Sequence, residues 1–163
     1  MFKVGKTVVY GIQGVCEITA VEKMKMVKTA EEYYVLTPVY RNNNNIFVPV
    51  KNTELLGRMY DVLSKDEINE VIKVLRSGET VKCQNSEKRT LFRETLSGND
   101  RLAIARVINS LVLEQRERRE QSKNLPSSDE NLINKARALL FGEIAFVMNT
   151  SPDDVANMIK NGQ

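Results

Sequence analysis

The side chains that most often perform enzymatic chemistry are missing from this sequence or scattered along it. There are no histidines, which removes the commonest general base and the commonest neutral metal ligand. The two cysteines, Cys16 and Cys83, are too distant in sequence to form a zinc site at credible spacing. We therefore expect no catalytic residue, metal, cofactor or small-molecule substrate, and the sequence predicts a protein that is not an enzyme.

Two motifs resemble chemical sites without carrying their chemistry. Gly11-x-x-Gly14 lacks the Lys-Ser/Thr ending and the following helix of a phosphate-binding loop, so its glycines are interpreted as turn formers. The carboxylate pairs Asp66-Glu67 and Asp153-Asp154 stand at predicted helix starts, where the helix macrodipole accounts for them. Neither motif indicates a reactive centre.

Residues that could bind another macromolecule lie first in the N-terminal part of the chain. Phe47 and Pro49 alternate along a predicted strand and so share one face, and Met24 and Met26 do the same on an earlier strand. An edge strand also offers unpaired N–H and C=O groups, which a partner protein can extend by strand addition. The same side chains could instead cover the core of the β-module, and both interpretations stay open.

The second candidate surface is a group of cations on one predicted helix, namely Lys88, Arg89 and Arg93, opposite Leu91 and Leu96. The surrounding segment 82–119 has nine Lys or Arg against five Asp or Glu, which would suit a surface in contact with a polyanion. Glu87 and Glu94 lie among the cations, so phosphate contact and a solvated helix face are equally open. The net charge of +3 predicts weak binding to bare DNA, so a second partner would have to deliver the protein to it.

The elements that position the first group are short strands. Apolar runs rich in β-branched and aromatic residues cover Val8 to Tyr10, Val15 to about Met26, Glu32 to Pro38 and Ile46 to Val50. Pro49 cannot donate a hydrogen bond to a neighbouring strand, so the fourth strand is expected near an exposed edge. Four or five such strands predict a small twisted barrel or half-barrel.

From Ser64 onward the apolar spacing becomes that of helices. Ser64-Lys65-Asp66-Glu67 has the pattern of a capping box, and Gly78 is expected to end the helix behind it. Further helices are expected from Ser86, from about Arg101, from a second capping box at Ser127-Ser128-Asp129-Glu130, and from Ser151 with Pro152 in the first helical position. These signals predict about five helices.

Together the patterns predict an α+β protein with two domains, a β-barrel over residues 1–58 and an all-α domain over residues 59–163. Cys16 lies in a strand and is expected in the core. Two unclustered cysteines fit a reducing cytosol. No apolar stretch approaches the ~20 residues that span a bilayer, so we expect a cytoplasmic protein without a membrane partner.

The order of several motifs resembles a known family. The sequence contains F-K-V-G-x-T-V-V-Y from Phe2, G-V-x-x-I from Gly14, Y-Y-V-L from Tyr33, V-P-V from Val48 and K-A-R-A-L-L-F-G-E-I-A from Lys135. In this it resembles the CarD/CdnL family of bacterial transcription regulators. The N-terminal part is also similar to the RNA-polymerase-interacting domain of the transcription-repair coupling factor.

The resemblance implies a Tudor-like or SH3-like barrel that binds the β subunit of RNA polymerase. The helical domain would then meet promoter DNA near the upstream edge of the bubble and stabilise the open complex. On this resemblance Phe47, Val48 and Pro49 match the polymerase-contacting strand. Met24, with Met26 beside it, lies near a position where some relatives carry a basic contact residue. The protein would associate with the nucleoid through polymerase.

The resemblance also implies a DNA-contacting group of residues, and here this sequence departs from the family. Ser86 to Arg93 match the start of the helix that approaches the DNA, which makes Lys88, Arg89 and Arg93 the expected contacts. Well-studied family members carry a tryptophan at the position aligned with Asn85, and a large ring can wedge into the minor groove. Asn85 cannot wedge, although its amide could hydrogen-bond there. The family's basic residue at Glu87 is reversed in charge.

Three rival functions remain beside this reading. The first is an interaction adaptor on RNA polymerase without DNA contact, which the missing tryptophan favours. The second is an independent nucleic-acid-binding protein, which would bind duplex DNA tightly and with a steep salt dependence, and the modest net charge argues against it. The third is an enzyme, which the absence of histidine makes the least favoured.

Overall fold

A computed structural model describes residues 1–25, 28–40 and 44–161. It divides the chain into two compact units, Met1–Val62 and Leu63–Gln163. The first unit consists mainly of strands, with a 3-10 turn at Gly11–Gln13 and one short α-helix, and the second consists mainly of helices, which confirms the α+β class. The predicted domain boundary after residue 58 falls just ahead of a last strand that pairs into the sheet.

The N-terminal unit is a five-stranded antiparallel sheet. Its strands are β1 (Thr7–Tyr10), β2 (Val15–Met24), β3 (Glu31–Pro38), β4 (Ile46–Pro49) and β5 (Met59–Asp61), and their order across the sheet is β4-β3-β2-β1-β5. The four predicted strands are present with small shifts at their ends. The predicted edge position of the strand that contains Pro49 is confirmed, because β4 stands at one end of this order. A short helix, α1 (Thr53–Leu56), lies between β4 and β5.

One face of this sheet forms the core of the N-terminal unit. Its buried side chains come from all five strands: Val8, Cys16, Ile18, Tyr34, Leu36, Val48 and Met59. Cys16 is fully buried, as the sequence predicts. The pairing of β2 with β3 shifts register between Ile18 and Ala20. This bulge removes Thr19 from the alternation, so that Ala20 lies on the opposite face from Ile18.

The second unit contains five helices within the described residues. They are α2 (Lys65–Ser77), α3 (Lys88–Ser97), α4 (Arg101–Glu120), α5 (Ser127–Met148) and α6 (Pro152–Asn161). The predicted capping box of α2 is present, since Glu67 N donates to Ser64 Oγ at 3.2 Å and Ser64 N donates to Glu67 Oε2 at 2.8 Å. Gly78 follows α2 with φ +72°, the left-handed conformation that commonly ends a helix.

The predicted start of α5 at Ser127 is confirmed, but two details of the predicted helix N-termini are wrong. The second capping box does not form, because α5 already includes Ser127 and the extended residue Pro126 precedes it. The Pro126 carbonyl accepts from the backbone N–H groups of Asp129 and Glu130, both at 3.0 Å. The helix predicted from Ser86 begins at Lys88 instead, since a turn occupies residues 85–87.

The helices α3, α4 and α5 share a hydrophobic cluster of four buried residues, Phe92, Val107, Leu111 and Ile133. Phe92 is 1% exposed, whereas Leu91, which the sequence places opposite the cations, is only half-buried. Leu96 is buried as predicted. Phe92 therefore fixes the helix that carries the cations against α4 and α5.

Candidate functional site

The first candidate surface is the edge strand β4 of the N-terminal unit. Phe47 and Pro49 alternate with Val48, so they lie on the opposite face of the strand. Phe47 is 36% exposed and Val48 is 0% exposed. Val48 pairs with Tyr34 on β3 and belongs to the core. The Val48 side chain is therefore not accessible to a partner, and only the Val48 backbone lies at the edge of the sheet.

The pairing register brings three of the predicted contact residues onto one face of the sheet. Phe47 pairs with Val35 and Pro49 pairs with Tyr33. Met24 pairs with Glu31, which lies two positions before Tyr33 and so on the same side of β3. Met24 and Pro49 are each half-buried.

Met26 lies outside the described residues, so the structure adds nothing to its predicted role. The face of the sheet that carries Met24, Phe47 and Pro49 is called the edge-strand face below. Because β4 ends the strand order, one side of its backbone is not used by β3. An edge of this kind can accept a strand from another protein.

The second candidate surface is the start of α3, and Lys88 stands in its first turn. Its ammonium group lies 3.0 Å from Glu114 Oε2 on α4 and 5.7 Å from the centre of the Phe92 ring. The Lys88 side chain is only 27% exposed. This salt bridge therefore holds α3 against α4 and neutralises part of the Lys88 charge.

Arg89 is held less firmly. Its Nε lies 3.4 Å from Asp129 Oδ1, and the Arg89 side chain is 59% exposed while that of Asp129 is 9% exposed. Asp129 lies in the first turn of α5, where the helix macrodipole favours a negative charge. The macrodipole therefore acts together with Arg89 in stabilising the Asp129 charge, and most of the Arg89 side chain stays exposed.

Arg93 and Asn85 are the two predicted DNA-binding residues that face solvent most openly. Arg93 is exposed, and in the described part of the chain it forms no salt bridge. Asn85 is exposed in the turn ahead of α3. The predicted DNA-binding residues therefore have different surroundings. Lys88 forms a salt bridge to α4 and Arg89 forms a longer one to α5, whereas Asn85 and Arg93 are exposed.

An open cleft of about 490 Å³ lies between the turn before α3 and the C-terminal half of α4. It is called the α3–α4 cleft below, and its charged and amide-bearing lining includes Asn85, Lys88, Glu114, Glu117, Arg118 and Lys123. Glu114 is central to the charge balance, because Oε1 lies 3.4 Å from Arg118 Nε while Oε2 faces Lys88.

The surroundings of the Glu114 carboxylate favour its ionised form. Burial acts to raise its pKa, but the hydrogen bonds and positive charges of Lys88 and Arg118 outweigh burial and lower the pKa below its ordinary value. One carboxylate therefore neutralises part of the charge of two cations.

The sequence analysis does not name Glu114 and names Asp129 only as part of a capping box, although both contact the predicted DNA-binding helix. The i,i+4 spacing of Glu114 and Arg118 indicates that salt bridge directly. The contacts to Lys88 and Arg89 join different helices, and sequence spacing gives no sign of them.

Within the described ranges, no three acidic or cysteine side chains gather in a way that could hold a metal ion. None of the helices found there combines the length and the apolar character required to cross a membrane.

Comparison with known protein families matches both units in the order that the sequence suggests. Residues 2–60 match the family model described as the CarD-like/TRCF RID domain. Residues 70–160 match the model described as the C-terminal domain of CarD. The first match covers the sheet with its edge-strand face, and the second covers α3 to α5 with the α3–α4 cleft.

Proposed function

The chain belongs to the CarD-like family of transcription regulators that interact with RNA polymerase, and on that premise we propose that it stabilises the promoter open complex. In this proposal the N-terminal unit binds the β subunit of polymerase through the edge-strand face. The helical unit contacts promoter DNA near the upstream edge of the bubble. The observation that carries the proposal is an exposed aromatic residue, Phe47, on a strand at one end of the sheet of a polymerase-interacting domain.

The chemistry of the edge-strand face supports a protein partner. Strand addition to β4 would pair backbone groups on the side away from β3, while Phe47 would supply apolar contact area. Pro49 lacks an N–H group, so only part of the β4 backbone can donate to an added strand. Val48 contributes by holding β4 onto the core, because its side chain is fully buried.

Contact with DNA would rest mainly on Arg93 and Arg89. Arg93 is exposed, and Arg89 can exchange its single carboxylate contact for a phosphate. Asn85 precedes them and can donate or accept hydrogen bonds at base edges. Lys88 would add less, because Glu114 holds its ammonium group. So few free cations predict weak contact with bare DNA.

Tethering to polymerase compensates for this weakness. A module linked to a bound partner reaches an effective concentration of about millimolar beside its second site. If the tethered unit binds open DNA better than closed DNA by ~1.4 kcal/mol, the equilibrium shifts about tenfold toward the open complex. A small preference is therefore sufficient for regulation.

The polymerase contact is tested by Phe47→Arg in the full-length protein. We expect this variant to lose co-migration with purified polymerase from the same organism, because a charged side chain would replace the apolar contact. Ile12→Arg is the matched control, since Ile12 is 46% exposed in the turn between β1 and β2. Retained capture of the β subunit by Phe47→Arg would refute the assignment.

The DNA contact is tested by Arg93→Glu, with the lifetime of the open complex as the measurement. We expect Arg93→Glu to shorten the lifetime while polymerase binding stays intact. Lys160→Glu makes the same charge change at an exposed position on α6 and should leave the lifetime as in the wild type. Equal lifetimes for the two variants would remove Arg93 from the DNA surface.

The adaptor function without DNA contact is the second candidate, and one observation favours it. Two of the three α3 cations are already paired with acids of the same unit. In that case a footprint at the upstream edge of the bubble would be the same with and without the protein, although polymerase binding would still depend on Phe47.

A further inference from the structure

Glu114 occupies an unusual position on the surface proposed to meet DNA. It is 22% exposed and accepts hydrogen bonds from Lys88 Nζ at 3.0 Å and from Arg118 Nε at 3.4 Å. All three side chains line the α3–α4 cleft, which also includes Asn85. A phosphate entering this cleft would therefore meet two cations, Lys88 and Arg118, whose positive charge is already partly neutralised by Glu114.

We propose that Glu114 is a restraining residue that limits the DNA contact of the helical unit by keeping Lys88 and Arg118 from phosphate. The inference rests on the proposed DNA contact and adds to it a residue that weakens the contact. A carboxylate competes with phosphate for the same N–H donors, and its negative charge also repels the DNA backbone. The strength of the DNA contact is then set by an acid on α4 as well as by the cations of α3.

The geometry distinguishes Glu114 from its neighbour Glu117, which lines the same cleft. Glu117 is exposed, and among the residues that the structure describes it holds no cation in a salt bridge. Removing the charge of Glu117 changes the potential of the cleft without releasing a bound cation. Glu117→Gln is therefore a matched control for Glu114→Gln.

The test measures open-complex lifetime with and without the full-length protein over a range of salt concentrations. The polymerase holoenzyme comes from the same organism, and the DNA is a linear promoter fragment. The logarithm of the lifetime ratio, plotted against the logarithm of salt concentration, has a slope that counts phosphate contacts made by the protein. Glutamine keeps the shape of Glu114 and one of its two acceptor oxygens, and circular dichroism checks that each variant is folded.

Glu114→Gln is expected to lengthen the lifetime at low salt and to steepen the slope by about 1 to 2, which corresponds to one or two added phosphates. Adding Lys88→Met to Glu114→Gln should remove about one unit of that gain, while the methionine keeps an apolar chain beside Phe92. Glu117→Gln should steepen the slope by less than half as much. A purely structural role for Glu114 would predict a shorter lifetime instead.

Two results would overturn the inference alone: a wild-type slope for Glu114→Gln, or equal slopes for Glu114→Gln and Glu117→Gln. In both, the wild-type protein still prolongs the open complex. A lifetime ratio of one for the wild-type protein and all variants would instead overturn the proposed DNA contact and this inference with it.

Discussion

Arg101 and Glu143 form a two-point salt bridge in the interior of the helical unit. Arg101 Nε donates to Glu143 Oε2 at 3.0 Å, and Nη2 donates to Oε1 at 3.1 Å. The side chains are 8% and 1% exposed. Glu143 Oε1 also accepts from Leu63 N at 3.0 Å, and Arg101 Nη1 donates to Asn99 O at 2.9 Å. The pair thus joins the start of the unit, the turn before α4 and the middle of α5.

Glu143→Gln should lower the free energy of unfolding by about 3–5 kcal/mol, because it leaves Arg101 as a buried cation without a full counter-charge. Denaturant unfolding of the full-length protein, followed by far-UV circular dichroism, measures the change. Glu70→Gln is the control, since Glu70 pairs with Lys73 on an exposed surface and such pairs contribute about 0–1 kcal/mol. A loss below about 1 kcal/mol for Glu143→Gln would contradict the interpretation.

Asn109→Asp should also destabilise the helical unit. Asn109 Nδ2 donates to Val74 O at 2.8 Å and to Glu79 O at 2.9 Å, and the residue is buried. A carboxylate cannot donate, so both carbonyl oxygens would lose the Asn109 donor. Val74 O keeps its hydrogen bond from Ser77 Oγ at 2.8 Å, so the cost of about 1–3 kcal/mol falls mainly at Glu79 O. The exposed Asn157→Asp on α6 is the control. Equal unfolding midpoints for the two variants would show that Asn109 does not tie the end of α2 to α4.

The strands show what short-range pattern can and cannot predict. The apolar runs that contain Val8, Cys16, Leu36 and Val48 alternate or are continuous, so their strand character follows from the sequence alone. The strand β5, with Met59 at its start, has three residues. Such a short segment has no period, and its pairing with β1 depends on the chain returning across the sheet. Its position is a tertiary property.

The choice between Leu91 and Phe92 illustrates a second limit. Both are apolar, and the helical period identifies the buried one only when the start of the helix and its neighbours are known. The helix begins at Lys88, and packing against Val107 and Ile133 selects Phe92.

The candidate site shows the same contrast between features that the local sequence pattern predicts and features that only tertiary packing determines. The alternation of Phe47 with Val48 predicts that only one of the two side chains is exposed. The family resemblance, by contrast, implies that both residues contact polymerase. The cationic helix is apparent from composition, but the partners of its cations are not. Lys88 meets Glu114 and Arg89 meets Asp129 across helix–helix contacts, which are fixed by packing of the whole unit.

Phe47→Ala and Val48→Ala should separate binding from stability. Val48→Ala removes buried methyl groups and should cost about 1–3 kcal/mol of unfolding free energy. Phe47→Ala removes more atoms but from an exposed position, so it should cost less. Polymerase capture, measured below the unfolding midpoint of both variants, should fall further for Phe47→Ala. Equal losses of capture would indicate that Phe47 acts only through stability.

Lys88→Met and Arg93→Met should distinguish a residue that stabilises the packing of α3 from an exposed residue of the same helix. Lys88→Met removes a hydrogen bond between charged groups that are mostly buried and should lower the free energy of unfolding by about 1 kcal/mol. Arg93→Met should change it by no more than about 0.5 kcal/mol, as is usual at exposed positions. Thermal unfolding of the full-length variants measures both. A larger loss of unfolding free energy for Arg93→Met than for Lys88→Met would contradict the assignment of Lys88 as the residue that holds α3 against α4.

The lowered pKa of Glu114 makes its contribution to stability depend on pH. Its ordinary value is 4.5, and the hydrogen bonds and charges of Lys88 and Arg118 lower the folded-state pKa despite the opposing effect of burial. A group whose folded pKa is lowered contributes stability above its unfolded pKa and loses that contribution as pH falls through the folded pKa. The wild-type protein should therefore be more stable than Glu114→Gln at neutral pH. This difference should shrink below about pH 4.5 and disappear in stronger acid. Denaturant unfolding of both proteins at a series of pH values measures the difference, and a constant difference through that range would show that Lys88 and Arg118 do not stabilise the ionised carboxylate.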